Sequence, residues 1–362
     1  MSDAKRKAFR ALFLPPMPWN PARRSYVPGS GPDPLELDRQ LETLGIETAI
    51  FDPHGRPWNP FAGRNTLLES FDPLRALRVL SRERNFDIVV SVFEGAALPL
   101  LALRRLMRFR TKIVLWDIGL TEQWKLRERT LNFVVPRVDG ILVLGSNQKP
   151  YIEQRWHART PVEVVGHRID TTFFSPSPEP PSPDGPILSL GEDTGRDFET
   201  LLGAIEGLDA DVVVKTRRQS GRVDPSRFPR ARLISDWLAY TDLRQLYARS
   251  RFVVVPLVET PNANGVTSVL EAGAMGKAIV VTNTAAIQDF IVPGETCLTV
   301  PPKDPRALRD AIERLLAEPE TRERLGANAR RFIENGFSEA VFARRFAEAL
   351  RRFAGTVGKP LQ

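Results

Sequence analysis

The stretch Val253-Val-Val-Pro256-Leu-Val-Glu259-Thr-Pro-Asn262-Ala-Asn264-Gly265-Val-Thr267-Ser-Val-Leu-Glu271-Ala-Gly-Ala-Met-Gly276-Lys-Ala-Ile279-Val-Val-Thr282 decides how the chain is read. An apolar β-type run ends at Pro256. A loop with Asn and Gly follows, then a helix of small residues that opens at Asn264, Gly265, Val266 and Thr267. Gly276 stops that helix, and a second β-run begins at Ala278. The result is a strand–loop–helix–strand unit. Its loop lies at the carboxyl end of a parallel strand, where open α/β sheets place ligands. The helix start offers unpaired N–H groups and a positive dipole end, which suit a phosphate. Glu271, a turn or two further in, is within reach of a sugar hydroxyl. The unit reads as a nucleotide-sugar site; the competing reading is a buried helix whose Glu is satisfied internally.

The same rhythm recurs on either side. In the first half, β-runs fall at Ala11 to Leu14, Ile46 to Phe51, Asp87 to Val92, Ile113 to Asp117 and Gly140 to Leu144. Helical patterns lie between them, including an amphipathic one from Pro34 to Leu44 that ends at Gly45. Strands separated by helices build parallel sheets with right-handed crossovers. A chain of 362 residues exceeds one core and suits two domains. We expect an N-terminal domain over 1–170, a proline-rich linker over 171–186, a second domain over 187–337 and a last helix within 338–362. That helix is amphipathic from Glu339 to Phe353, with Ser338 as its N-cap.

Composition narrows the class. The chain is 42% hydrophobic and 26% charged, as globular proteins are. Its one cysteine, Cys297, excludes a disulfide framework and a cysteine zinc site. Three histidines, His54, His157 and His167, form no metal-ligand pattern. No apolar run reaches the roughly 18 residues needed to cross a bilayer. Lys5-Arg6-Lys7 precedes only about six apolar residues before Pro15, too few for a secretory signal, so cytosolic residence is expected. The net charge is +7, with 26 basic and 21 acidic residues before position 187 against 25 and 23 after it. A basic surplus suits nucleic acid, anionic lipid or anionic substrate. No nucleic-acid-binding signature accompanies it, and no nucleic-acid partner is expected.

The 253–282 stretch resembles the donor-binding motif of GT-B glycosyltransferases, most closely glycosyltransferase family 4. That family carries a Glu, seven residues, a second Glu and then Ala-x-Ala-x-Gly-x-Pro-Val-Val-x-Thr. Here Glu271 matches the second Glu, and Ala-Gly-Ala-Met-Gly-Lys-Ala-Ile-Val-Val-Thr follows it. Ala263 stands where the first Glu belongs, and Glu259, Asn262 and Asn264 are the candidates to replace that carboxylate. Val162 to Pro176 is similar to the family's interdomain segment, with Arg168 in place of a Gly. The resemblance implies two Rossmann-like, doubly wound α/β domains facing an interdomain cleft, with a last helix that crosses back to the first domain. It also implies retaining, metal-independent sugar transfer from a nucleoside-diphosphate sugar, as co-substrate rather than cofactor, to a sugar, lipid or small-molecule acceptor. The first domain would bind acceptor and the second donor. Alternatives are a nucleotide-sugar epimerase of the same fold, which needs no acceptor, and an inactive donor-binding scaffold, which the missing Glu at Ala263 favours.

Other positions follow from the same resemblance. Gly191-Glu-Asp-Thr-Gly195-Arg196 is similar to the family's Gly-Arg segment, whose Arg faces the donor diphosphate; a solvated loop charge is the alternative. Val212-Val-Val-Lys215 is similar to its Lys-bearing strand end. Arg196 and Lys215 would offset charge on the leaving diphosphate, where fixed cations lower the barrier most directly. Backbone near Trp237 and Leu238 would read the base, with core packing of Trp237 as the rival reading. Gly29 to Gly31 would let backbone approach a phosphate, or forms a plain turn. Asp117 and Glu94, at strand ends, are candidates to orient the acceptor hydroxyl or to cap helices. Asp209-Ala-Asp211 imitates a metal motif but precedes a strand, so it reads as a turn and no metal is expected. Finally, Leu100 to Lys112 carries five basic residues, no acid and interleaved apolar ones. A helix of that kind lies on an anionic membrane, here the inner face, or presents a solvated side.

Overall fold

The computed structural model describes residues 8–55, 70–104, 106–116, 120, 125–157, 159–178, 184–218, 220–222 and 228–355. One sheet comprises β1 (Phe9–Leu14), β2 (Ile46–Ile50), β3 (Ile88–Val92), β4 (Lys112–Trp116), β5 (Gly140–Val143) and β6 (Val162–Val164). Its order is β2-β1-β3-β4-β5-β6, and every neighbouring pair is parallel. A second sheet comprises β7 (Ile187–Leu190), β8 (Val212–Lys215), β9 (Ala231–Ile234), β10 (Val253–Val255), β11 (Ile279–Thr282) and β12 (Leu298–Val300). It is also parallel throughout, in the order β12-β11-β10-β7-β8-β9. Parallel strands are covered on both faces, which is why β3, β5, β7, β10 and β11 are almost continuous runs of buried aliphatic residues.

Helices clothe these sheets. In chain order they are α1 (Asn20–Arg24), α2 (Glu36–Thr43), α3 (Pro73–Leu80), α4 (Glu94–Arg104), α5 (Lys125–Val134) and α6 (Gln148–Trp156). Then come α7 (Phe198–Ile205), α8 (Tyr240–Arg249), α9 (Val266–Ala274), α10 (Pro305–Ala317), α11 (Pro319–Phe337) and α12 (Glu339–Ala354). The chain divides into two units. One holds residues up to Tyr26, Pro34–Val165 and the chain from Phe342; the other holds Val27–Asp33 and Gly166–Val341.

In the first unit the strand period of two sorts residues between faces. Leu12, Leu14, Val89, Ile113, Leu115 and Ile141 pack under α3 to α6. Ala11, Phe13, Val90, Val114 and Trp116 pack under α2 and α12. From α12, Phe342, Phe346 and Leu350 recur every fourth residue and line one stripe. The Phe346 ring lies 4.9 Å from Trp116 and 6.0 Å from Phe13. In the second unit α8, α9 and the end of α11 cover one face, while α7 and α10 cover the other. Phe173 and Phe174, from the stretch that reads as linker, are buried in this second core. Asp170 fixes them, accepting hydrogen bonds from the N–H groups of Asp33, Thr172 and Phe173.

One expectation fails. The basic run over 100–112 is not a single helix: α4 ends at Arg104, and a turn follows. Arg108 takes a left-handed backbone, φ 52°, and Lys112 already opens β4. The reason is burial: Leu100 and Leu101 are core residues and Phe109 returns to that core, so the chain must reverse between them. Arg105 lies outside the described residues.

Candidate active site

Strand order reverses between β7 and β10, and the crevice outside the carboxyl ends of strands at such a switch point is where ligands bind in open α/β sheets. The loops after these two strands are laced together. Asp197 donates its N–H to Pro256 O at 3.0 Å, and Val258 donates to Gly195 O at 2.9 Å. Asp197 also caps α7 by accepting from Thr200 N at 3.1 Å. Gly195 lies so close to Asn264 that a Cβ there would overlap the amide, whose Nδ2 donates to Thr260 Oγ1 at 2.7 Å. Gly265, the N-cap of α9, has φ 79°, and a Cβ on it would sit 2.7 Å from Leu257 Cδ2. Only glycine meets both demands at low cost.

The start of α9 has neither a side-chain cap nor an acidic residue in its first turn. Its leading N–H groups therefore have no partner within the helix. Arg196 is brought against this end. Its side chain lies over Gly191, its Nη2 donates to Ser268 Oγ at 2.8 Å, and its Nε donates to Asp193 at 3.0 Å. Nη1 is buried and has no hydrogen-bond partner, although the residue is only 4% exposed. Buried donors are almost always paired, so an orphan at an uncapped helix start marks a place for an anion. One turn further into α9, Glu271 is buried and accepts from the Tyr247 hydroxyl at 2.7 Å. Burial pushes its carboxyl up to about 7, against the opposing pull of the Tyr247 hydrogen bond and the Arg196 charge. Burial likewise pushes the Tyr247 phenol well above its ordinary range.

Lys215 ends β8, and its backbone O accepts from Gly191 N at 3.1 Å. Its ammonium pairs with the carboxylate of Glu192. Trp237 is 72% exposed, which removes core packing as its explanation; Leu238 beside it is half-buried. Gly31 packs on the Tyr240 ring at the start of α8, while Gly29 stands open at φ 83°. Glu259 is exposed, and its carboxylate accepts from Ala285 N at 3.2 Å. Val266 contributes its side chain to the core and so offers a ligand only its backbone; Thr267 is exposed. Ala263 packs on the core.

Asp117 lies outside the described residues. Glu94 is buried at the start of α4 and pairs with Arg127 at 2.7 Å. Asp209 and Asp211 both pair with Arg230. Among the described residues no group of three His, Cys, Asp or Glu side chains could hold a metal ion. The structure thus gathers Gly195, Arg196, Asn264, Gly265 and Glu271, with Lys215 on the strand next to β7. Reasoning from the sequence missed Ser268, the Tyr247 hydroxyl and Glu192. For Tyr247 the signal was present in Leu243-Arg-Gln-Leu-Tyr247, which reads as a helix without indicating the partner of the hydroxyl.

Residues 228–318 match the family described as Glycosyl transferases group 1. Sucrose-phosphate synthase from Thermosynechococcus elongatus has a similar fold, with TM-score 0.75 at 18% identity over 97% of this chain and 100% of that one. Anabaena Alr3699/HepE, solved with UDP and glucose, gives TM-score 0.67 at 13% identity over 95% and 99% of the two chains. The chain has the GT-B fold, and its residues 228–318 are similar to group 1 glycosyltransferases. A capsular polysaccharide biosynthesis glycosyltransferase of Staphylococcus aureus, CapM, is 35% identical over 72 residues. That match is 20% of this chain and 19% of CapM, so the chain spans about a fifth of the curated relative it matches.

Proposed function

We propose that this protein transfers a sugar from a nucleoside-diphosphate sugar to an acceptor, with retention of configuration and without a metal ion. The observation that carries the reading is the buried, unpaired Nη1 of Arg196 at the uncapped start of α9. When the bond between the anomeric carbon and the diphosphate oxygen breaks, negative charge accumulates on the departing diphosphate. Preorganised cations and N–H groups aimed at that charge stabilise it in the transition state. Arg196, Lys215 and the first turn of α9 supply them. Glu271 accepts from a sugar hydroxyl of the donor, and Trp237 and Leu238 lie beside the base. Retention and kinship to family 4 rest on the resemblance of residues 271–282 to that family's motif. The first unit takes the acceptor, and Asp117 orients its hydroxyl. HepE was also solved with UDP-glucose, which makes this donor the first to try.

The test offers UDP-, GDP-, ADP- and CDP-sugars with and without a cell lipid extract, and follows thermal shift and nucleotide release. Sugar transfer predicts release that depends on acceptor. Release without acceptor points to an epimerase, and a shift without release to a scaffold. Absence of any shift across the panel sinks the donor site.

A second element concerns where the acceptor resides. Leu106 and Met107 are 78% and 51% exposed in the turn after α4, with Arg104, Arg108, Arg110 and Lys112 around them in sequence. We propose that this turn enters the headgroup layer of an anionic membrane, where each cation adds about 1 kcal/mol and the two apolar side chains are buried. On this reading the protein works from the cytosolic face and takes a lipid-linked acceptor. Flotation should recover more protein on vesicles with anionic lipid than on neutral ones, and L106S/M107S should lower that recovery. Equal recovery on both vesicles would count against it.

A further inference from the structure

Glu192 has no part in the function proposed above, yet its carboxylate is held by three donors. Its carboxylate takes the Lys215 ammonium on Oε1. Arg217 N–H reaches both oxygens at 3.1 Å, and Arg218 N–H reaches Oε2 at 3.0 Å. These hydrogen bonds hold its carboxyl below the usual range against the upward push of burial. An ammonium with two successive backbone N–H groups at a strand end is the kind of concavity by which proteins hold phosphate oxygens. Here the oxygens come from the protein itself. The side chain is 36% exposed, so leaving the concavity requires little unpacking. Arg217 and Arg218 are exposed beside it and add positive charge.

The adjoining residue gives the contrast. Asp193 also pairs with a site cation, but Arg196 keeps one donor unpaired after that contact. Lys215 is engaged by a carboxylate that two backbone N–H groups hold as well. The cation after β7 and the one that ends β8 are therefore in different states, one open and one occupied.

We infer that Lys215 and the N–H groups of Arg217 and Arg218 form a second phosphate-oxygen subsite, and that Glu192 competes for it with the nucleotide diphosphate. The inference rests on the donor-site reading. A phosphate must displace the Glu192 carboxylate and stand near its charge, so Glu192 lowers nucleotide affinity and speeds product release. Glutamine keeps the shape and an oxygen for the N–H groups but gives up the charge that competes.

The experiment is titration calorimetry of the full chain with UDP, GDP, ADP and inorganic pyrophosphate, comparing wild type, E192Q and K215A, with thermal melts to confirm folding. E192Q should bind the preferred nucleotide about tenfold more tightly, equal to about 1.4 kcal/mol. K215A should bind it more weakly than wild type. Unchanged or weaker binding by folded E192Q overturns the inference and makes Glu192 a positioning residue for Lys215. Wild-type binding with an inert E192Q leaves the donor site standing and removes only this inference. Failure of wild type and E192Q alike to bind any of the four ligands removes both. Binding that appears only in E192Q upholds both.

Discussion

Arg196→Ala is expected to lower sugar transfer by about a hundredfold or more, the loss seen when one preorganised donor to developing negative charge is removed. Nucleotide affinity should fall with it, because Nη1 is the unpaired donor at the start of α9. The fold should survive. Asp193 keeps the Gly195 N–H at 3.1 Å and, being 32% exposed, takes water in place of the guanidinium. Ser268 Oγ keeps its contact with Leu190 O at 3.4 Å. What the fold loses is the packing of the arginine stem over Gly191, an amount visible as a modest drop in melting temperature. Arg196→Lys separates charge from geometry. A lysine restores the positive charge but cannot reach Asp193, Ser268 and an anion together, since it lacks the planar fork. It should recover part of the binding and little of the turnover. Wild-type turnover by a folded Arg196→Ala would remove Arg196 from the chemistry and return it to being a strut between two loops.

Much of this site was legible in the sequence because its signals are local. A β-branched run, a loop closed by glycine and a helix stopped by glycine specify their own conformations, and β10, α9 and β11 lie within the stretch that reads that way. The Gly276 N–H returns to Gly273 O at 2.9 Å, as a glycine stop requires. β6 was not legible. It is three residues at a sheet edge, Val162-Glu-Val164, and only pairing with β5 makes it a strand. The 100–112 run misled because its composition suits a helix, while burial of Phe109 forces a turn that composition does not encode. Partners far apart along the chain were hidden for the same reason. Glu192 and Lys215 are brought together by the pairing of β7 with β8, and Ser268 reaches Arg196 only once the loops after β7 and β10 are joined. Local patterns therefore pointed to the cations of the candidate site, and tertiary pairing decides which of them keeps a donor open.

Glu271→Gln should make the protein more stable at pH 8 and less active, a pairing of effects that a purely structural residue does not give. The carboxyl of Glu271 sits at about 7 in the folded protein, against an ordinary value of 4.5. Between those values the native state holds a proton that the unfolded chain has released. Stability therefore falls as pH rises through this window, and above it the full cost of a buried carboxylate is present. Glutamine removes that cost, which amounts to up to about 3 kcal/mol. The Tyr247 hydroxyl still has an amide oxygen to which it can donate. The stability gain should be near zero at pH 4 and largest at pH 8, rising by several degrees of melting temperature across that range. Donor binding should move the other way, because an amide is a weaker acceptor for sugar hydroxyls than a carboxylate and orients its NH2 toward them. Proteins often carry such destabilising groups where function requires them. Melting curves from pH 4 to pH 8, run beside nucleotide titrations, read both effects at once. A Gln variant that is less stable at pH 8 would show Glu271 to be ionised and well paired in the fold, and would take from the site its one strained carboxyl.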